Sequence, residues 1–179
     1  MTTATQNGLD LERFSHLNRM DNPALLLDQE GTVQLANDAF LKFFDLDAKA
    51  VNGQMNHEEA CANNLSGTKD CPVAKSKRIK KAVTVEVMQK GKKKILHLRY
   101  NAVPLFEGTK FLGTLINITD ISADVATRND LRQVKGNLDV IPTPIMEIDK
   151  LFNITYINPA GAGVAGLMPD EAIGKKCYD

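Results

Sequence analysis

One segment of this chain occurs twice, at a distance that excludes the common repeat architectures. Residues 23–53 and 144–174 align without a gap at an offset of 121 residues, with identities at Pro23/Pro144, Asp28/Asp149, Asn37/Asn158, Ala39/Ala160, Leu46/Leu167 and Gly53/Gly174. Solenoid repeats have periods of about 20–50 residues, whereas a period of this length is the size of a small domain. The chain of 179 residues therefore contains one whole module and the opening part of a second.

The charge and composition of the chain give no reason to expect nucleic-acid binding or membrane insertion. It has 22 acidic and 22 basic residues, so its overall field gives no reason to expect nucleic-acid binding. Lysine-rich runs at residues 75–81 and 90–94 lack interleaved aromatic residues, and we interpret them as solvated surfaces. No apolar run approaches the about 20 residues of a membrane helix, so we expect no membrane insertion by this segment. The three cysteines and the lack of a signal-peptide pattern favour a reducing, cytoplasmic setting.

Hydrophobic periodicity predicts an α+β fold. Residues 9–20 place apolar side chains three positions apart, which indicates an amphipathic helix. Two short apolar runs around a polar turn follow at residues 24–35, and Asn37 or Asp38 can cap the next helix. After short helices and loops the period changes to two, which predicts strands at residues 83–88, 95–100 and 110–118. This order predicts a five-stranded antiparallel sheet with short helices on one face.

These patterns divide the chain into an N-terminal helix at 1–21, a first domain at 22–120, a helical connector at 121–142 and the start of a second domain at 143–179. Apolar residues in the connector step by three and four, as in a short coiled coil, at Leu131, Val134, Leu138 and Ile141. Gly136 weakens this helix. We expect a homodimer through the N-terminal and connector helices. A single helix lying on its own domain is the alternative.

The residues resemble a known family. The strand–turn–strand PALLLDQEGTVQLAN, the helix-rich middle, the later hairpin and the closing FLGTLINITDIS together resemble a PAS sensory domain. The second copy, PTPIMEIDKLFNITYINPAG followed by GKKCYD, is similar to the opening of PAS domains in methyl-accepting chemotaxis proteins. Sensor histidine kinases carry domains of the same style. The resemblance covers residues 20–122 and 142–179.

The resemblance implies a sensory cavity enclosed by the sheet and the helices, which holds haem, flavin, a small metabolite or nothing. Helix faces and strand alternation select its lining residues as Phe40, Phe44, Met55, Ile79, Leu98, Tyr100 and Leu115. Haem is the favoured cofactor, with His57 as candidate axial ligand, because this histidine lies in the helical region that walls the cavity. Flavin is disfavoured, since the light-sensing motif is absent and Leu115 stands where a glutamine is expected.

His57, Cys61 and Cys71 form a candidate metal site. His57 and Cys61 are four residues apart and share a face if their segment is helical, and Cys71 follows after a loop that could fold back. One imidazole and two thiolates suit zinc or iron, with Glu58 or Asp70 as a fourth ligand. A redox-active Cys61–Cys71 pair is the alternative. Buried cysteines that pack as small apolar residues are the simpler interpretation.

Catalytic signatures are absent from the sequence. It has no Gly-rich phosphate loop, no GxSxG elbow and no HExxH motif, so we expect no enzyme. The predicted function is a cytoplasmic sensory module, in a chemoreceptor, that relays its state through the connector to a downstream signalling domain. The alternatives are a ligand-free dimerisation and relay module of a sensor kinase, and a thiol or metal redox sensor.

The second copy has counterparts of the first two strands alone. Its strand residues Met146, Ile148, Ile154 and Tyr156 then lack partner strands, and such edges invite pairing with another chain. We expect residues 142–179 to be less ordered than residues 20–120, or to be completed by another molecule. The ungapped alignment places Cys177 opposite Asn56, so the two copies should differ in their pockets.

Overall fold

The computed structural model describes residues 5–6, 9–61, 63, 65, 67–91 and 94–178. Lys92 and Lys93 of the second lysine-rich run lie outside the described residues. So do residues 1–4, 7 and 8 of the predicted N-terminal helix and residue 179 of the predicted second domain. The chain folds as two compact units, Met1–Ser122 and Ala123–Asp179. Within the described part of the chain, no helix combines the length and the apolar character that crossing a membrane requires.

The first unit is built on a single large sheet. Its short leading strands β1 (Thr5–Gln6) and β2 (Leu9–Asp10) pair with each other. The large sheet consists of β3 (Ala24–Leu27), β4 (Val33–Ala36), β5 (Val83–Lys90), β6 (Ile95–Glu107) and β7 (Lys110–Asp120). These strands are antiparallel and lie in the order β4-β3-β7-β6-β5. The predicted α+β class with a five-stranded antiparallel sheet is confirmed.

Strand β6 continues past the end that alternation predicts for it. The pattern ends the return strand at Tyr100, but β6 pairs with β7 as far as Glu107. Strand β5 pairs with β6 only up to the register of Val83 with Ala102, so one side of β6 is free at Pro104. A proline fits there because it has no N–H to contribute to a second neighbour. The return strand is therefore longer than predicted.

Short helices cover one face of the large sheet. They are α1 (Asp38–Phe44), α2 (Ala48–Val51), α3 (His57–Cys61) and α4 (Pro72–Ile79). Their apolar side chains pack with the inward residues of β6, and Phe40, Val51, Leu98 and Tyr100 are fully buried in this core. Burial of such side chains contributes about 1.5–3 kcal/mol each. The short helices are thus held on the sheet by this shared core.

The N-terminal helix covers the opposite face. It is a 3-10 helix at Leu11–Arg19, where the pattern predicts an α-helix, and Leu17 is its buried residue. Leu17 packs with Leu26 in a second apolar cluster, against which Leu115 is partly buried. Both faces of the sheet are therefore covered. Alternation alone does not tell whether a strand residue packs against the short helices or against the N-terminal helix.

The second unit contains most of a long helix and a small two-stranded sheet. The helix is α5 (Ser122–Asp139), and it is followed by β8 (Met146–Ile148), β9 (Ile154–Ile157), α6 (Pro159–Val164) and α7 (Pro169–Ala172). A small core forms around Ile154, Ile157, Ala162 and Ala172. Met146 and Ile148 of β8 expose 47% and 43% of their surface. The lower order expected for residues 142–179 stays a prediction.

Candidate functional site

A cleft lies where the turn between β3 and β4 meets α3 and α4. Its volume is about 240 Å³, and among the residues that line it are Gly31, His57, Glu58, Cys71, Lys77 and Phe111. We call it the His57–Cys71 cleft. The ammonium of Lys77 lies 4.7 Å from the centre of the Phe111 ring and donates to the carbonyl of Gln29 at 3.2 Å. The cleft is thus lined by a histidine, a cysteine thiol, an acidic side chain and a basic side chain.

The turn between β3 and β4 brings its backbone against the His57 ring. The carboxylate of Asp28 accepts from the amide N–H groups of Glu30 and Thr32, both at 2.9 Å. Gly31 has φ of +89°, which glycine adopts without strain, and its carbonyl accepts the amide N–H of His57 at 2.9 Å. A Cβ at residue 31 would lie 2.8 Å from Nδ1 of His57, so the position of the imidazole depends on glycine here.

His57 and Cys71 are in direct contact. Sγ of Cys71 lies 3.5 Å from Nε2 of His57. Burial favours a raised pKa for the Cys71 thiol, but the hydrogen bond to His57 and the amides of Ala74 and Val73 outweigh it, so its pKa is lowered. These amides belong to the first turn of α4, which begins at Pro72, although their geometry falls short of a capping hydrogen bond.

The same contact acts on the imidazole with the opposite sign. Burial favours a lowered pKa for His57, but the hydrogen bond and charge of Cys71 outweigh it, so the pKa of His57 is raised. The carbonyl of Gly31 and the carboxylate of Glu58 add to this rise. Both shifts move the pair toward a thiolate beside an imidazolium.

Cys61 is packed in the apolar core of the first unit. It is 3% exposed, and burial raises the pKa of its thiol to about 12. All three cysteines are free thiols. Among the described residues, no group of three His, Cys, Asp or Glu side chains is arranged to hold a metal ion. The metal site predicted from His57, Cys61 and Cys71 is therefore not formed by the described residues, because Cys61 is absent from the cleft that His57 and Cys71 line.

The residues that were predicted to line a single cavity lie in different surroundings. Five of them belong to the packed core, three fully buried and two partly, namely Phe40, Leu98, Tyr100, Phe44 and Met55. Ile79 was wrongly assigned to the lining: it is the last residue of α4 and is 45% exposed. Leu115 was also wrongly assigned, because it packs on the other face of the sheet.

His57 is not arranged to hold a haem. An axial ligand needs a ring nitrogen that is free to face the iron. Nε2 contacts the sulfur of Cys71, and Nδ1 is buried against Gly31 with no hydrogen-bond partner among the described residues. The described residues therefore do not fit the haem that the sequence favours. Leu115 packs on the opposite face of the sheet from the cleft helices, so its identity gives no argument for or against flavin binding.

Sequence reasoning missed a half-buried polar link between the sheet and α3. Nε2 of Gln89 donates to the carbonyl of Cys61, and the hydroxyl of Tyr100 donates to Oε1 of Gln89, both at 2.9 Å. Burial raises the pKa of Tyr100, so the phenol is a neutral donor. A buried tyrosine hydroxyl needs a partner, and this requirement was the signal available in the sequence. The predicted strand ends at residue 88, whereas β5 continues to Lys90, so the pattern did not place Gln89 in the sheet.

Comparison with protein families decides the identity of the fold. A family model described as "PAS fold" matches residues 11–121, and one described as "PAS domain" matches residues 142–179. The chain belongs to the PAS family. PAS domains are typical of sensors in signal transduction, and the two matches correspond to the whole and the partial copy of the repeat. None of the curated proteins matches the chain.

Solved structures share the PAS fold at low sequence identity. The PAS domain of Bordetella pertussis BvgS matches with a TM-score of 0.51 and 21% identity, covering 70% of this chain and 97% of that chain. Phage VqmA in complex with DPO gives 0.53 and 16%, covering 74% and 62%. The Vibrio cholerae VqmA dimer gives 0.51 and 16%, covering 65% and 53%. At these identities the similarity shows the fold alone.

Both PAS copies hold the end of a preceding helix with one asparagine. Nδ2 of Asn37 donates to the carbonyls of Leu17, Met20 and Asn22, and its Oδ1 accepts from the N–H groups of Ala24 and Phe40. Asn158 repeats the arrangement with the carbonyls of Leu138, Ile141 and Thr143 and the N–H groups of Ile145 and Gly161. The repeat therefore preserves a helix attachment as well as a strand pair.

The second PAS copy keeps the turn but changes its chemistry. Phe152, at φ of +64°, takes the left-handed position of Gly31. Its carbonyl accepts the N–H of Cys177 at 3.0 Å, as the Gly31 carbonyl accepts that of His57. The bridges that flank these bonds agree, namely Thr32–Asn56 and Asn153–Lys176. Cys177 therefore corresponds to His57 and not to Asn56, because the second copy is one residue shorter after Gly174.

Proposed function

We propose that the first PAS module senses a chemical change in the His57–Cys71 cleft and passes it to α5. The observation that carries this proposal is a chain of contacts from the cleft to that helix. Helix α4 forms one wall of the cleft and packs against β6. The N–H of His97 in β6 donates to Oγ of Ser122 at 3.0 Å, and the His97 carbonyl accepts the N–H of Ile121 at 2.8 Å. A shift of α4 on β6 would therefore reach the start of α5.

A small polar ligand or a covalent change suits the cleft better than a large cofactor. Its volume of about 240 Å³ lies below the about 300–1,000 Å³ of drug-sized pockets. Glu58 and Lys77 offer an acceptor and a donor beside the His57–Cys71 pair. The phage VqmA structure is a complex with DPO, which supports ligand binding as a use of this fold. A signal then needs a differential effect on two states of α4 and α5.

The setting that we propose is a cytoplasmic part of a chemoreceptor, with a downstream signalling domain as the receiver. Support comes from the resemblance of residues 142–179 to chemoreceptor PAS domains and from three free cysteines, which suit a reducing compartment. A sensor kinase is the alternative host. In both, α5 would pair with its twin, because Leu131 and Val134 expose 66% and 56% of their surface on the predicted stripe.

We expect a bulky residue in the cleft to loosen the start of α5. Ala74 lines the cleft from α4 and is exposed, so Ala74→Phe imitates an occupant without opening the core. Hydrogen exchange of amides 125–128, the first with intrahelical acceptors, should become about fivefold faster, since a displaced β6 weakens the hold on Ser122. Ala48→Phe, at the exposed start of α2 and outside the cleft lining, is the matched control. Equal exchange in both variants would contradict the relay.

The connector gives a separate expectation about assembly. Leu131→Asp should weaken dimerisation about tenfold or more, because it places a charge on the apolar stripe of α5. Leu131 is preferable to Leu138, whose carbonyl is held by Asn158. Gln133→Asp, exposed on the same helix but off the stripe, should leave the sedimentation coefficient unchanged. Loss of dimers together with an α5 unaffected by Ala74→Phe would favour the alternative of a ligand-free dimerisation module.

A further inference from the structure

The cysteines of this chain occupy three different settings. Cys61 is enclosed in the core, and Cys177 is half-buried in the second PAS copy. Cys71 immediately precedes the eight-residue helix α4 and faces the imidazole of His57 at 3.5 Å. A helix N-terminus and an adjacent imidazolium both stabilise a thiolate, which is the nucleophilic form of cysteine. Cys71 belongs to the same apolar core as Cys61, but it also contacts His57 and lines the cleft.

Three elements around the cleft contribute charged groups, whereas β7 contributes the Phe111 ring, and the positions of these groups single out His57. The turn between β3 and β4 supplies Asp28 and Glu30, α3 supplies Glu58, and α4 supplies Lys77. Asp28 accepts backbone and side-chain hydrogen bonds within its own hairpin, and Lys77 donates to the carbonyl of Gln29. The imidazole lies within hydrogen-bond distance of the sulfur. It is therefore the partner that decides the protonation of Cys71.

Access to the sulfur suits a small reagent. Cys71 exposes 4% of its surface, but it lines the His57–Cys71 cleft. A molecule the size of hydrogen peroxide fits in the about 240 Å³ of the cleft, whereas a protein thiol does not. This combination favours oxidation by a small peroxide over exchange with a bulky disulfide.

We propose that Cys71 is a peroxide-reactive thiol activated by His57, and that its oxidation is the chemical change that this PAS module senses. The sulfur of the Cys71 thiolate attacks one peroxide oxygen, and the O–O bond breaks. The proton on Nε2 of His57 goes to the departing hydroxide, so the products are a Cys71 sulfenic acid, water and a neutral imidazole. Sulfur is oxidised by two electrons and the peroxide is reduced. The sensing role rests on the proposed function, whereas the reactivity does not.

The test is hydrogen peroxide treatment of the whole chain at neutral pH, with dimedone present to trap sulfenic acid and mass spectrometry of the cysteine peptides. We expect Cys71 to be labelled about tenfold faster than Cys61 and Cys177, which serve as internal references. His57→Gln should slow labelling of Cys71 about tenfold at neutral pH, because it removes the imidazolium that stabilises the thiolate. Alkaline pH should restore the rate, since the thiolate then forms without the imidazole.

Two results would overturn the proposal. One is labelling of Cys71 no faster than that of Cys177. The other is a His57→Gln protein that reacts like the unmodified chain at every pH. If circular dichroism shows that His57→Gln misfolds, the pH profile of iodoacetamide modification of Cys71 in the unmodified chain decides instead. Its midpoint should lie below the about 8.5 of an ordinary thiol, and a midpoint at or above that value contradicts the activation.

A last comparison separates reactivity from signalling. Peroxide should change the hydrogen exchange of amides 125–128 in the unmodified chain and leave it unchanged in Cys71→Ser. If Cys71 is oxidised while α5 does not respond, the sensing role fails and the reactivity stands. If Cys71 does not react while Ala74→Phe still alters α5, the peroxide proposal fails and the relay stands.

Discussion

Replacing Asn37 by alanine should lower the free energy of unfolding of the first PAS module by about 4 kcal/mol. The side chain is fully buried, and its Oδ1 accepts from the N–H groups of Ala24 and Phe40 at 2.9 Å. Its Nδ2 donates to the carbonyls of Leu17 at 3.0 Å and Asn22 at 2.9 Å. Alanine removes the partner of the N–H groups of Ala24 and Phe40 and of the Asn22 carbonyl, whereas the Leu17 carbonyl still accepts from the N–H of Met20 at 3.1 Å. Each buried orphan costs about 1–3 kcal/mol. Urea denaturation followed by circular dichroism measures the loss.

Asn18→Ala is the matched control for this substitution. Asn18 is exposed near the end of the N-terminal 3-10 helix, so its loss should change the free energy of unfolding by less than about 0.5 kcal/mol. Asn37→Asp should destabilise at least as much as Asn37→Ala, because it buries a carboxylate against the carbonyls of Leu17, Met20 and Asn22. Equal denaturation midpoints for Asn37→Ala and Asn18→Ala would show that the asparagine does not hold the helix to the sheet.

The sheet was predictable because its signals are local. Alternating Val83, Val85 and Val87 follow from side chains that point to opposite faces of a strand, and the register of β5 with β6 agrees with the predicted hairpin. The capping role of Asn37 was also readable, since asparagine before an apolar run is a helix-start signal. Its hold on Leu17 was not, because that contact joins residues 20 apart in sequence.

The cavity was not predictable from alternation because both faces of the sheet are covered. A period of two places Leu115 on one face, but whether that face meets α1–α4 or the N-terminal helix depends on how the chain packs. Ile79 fails for a different reason: α4 ends there, and Lys80 turns the chain with φ of +55°. Residue type and period thus select apolar positions without assigning them to a shared space.

The candidate site lies between these cases. His57 and Cys71 were recognisable as reactive residue types, but their contact depends on the loop that joins α3 to α4, and helical spacing instead suggested His57 with Cys61. Helix α3 is only five residues long and ends at Cys61, which is enclosed in the core. The correspondence of Cys177 with His57 needed the backbone hydrogen bonds, since an ungapped alignment is misplaced by the shorter second copy.

Alanine at position 113 should destabilise the first PAS module by about 3 kcal/mol. Gly113 lies in β7 opposite Leu105 of β6, next to the irregularity in this strand pair. A Cβ there would collide with the carbonyl oxygen of Leu27 in β3, and it would also press on Leu9. The carbonyl cannot withdraw, because Leu27 is paired in register with Thr114. A lower midpoint in thermal or urea denaturation is the expected result.

Gly136→Ala provides the same chemical change where space is free. Gly136 lies within α5, and an added Cβ meets no atom within 4 Å. Alanine is the better helix former by about 0.8–1 kcal/mol, so this substitution should slow hydrogen exchange in α5. Gly113→Ala should therefore destabilise its unit, whereas Gly136→Ala should stabilise α5. The difference comes from the space around each glycine, which the residue type alone does not reveal. A stabilising Gly113→Ala would contradict the close approach of β7 to β3.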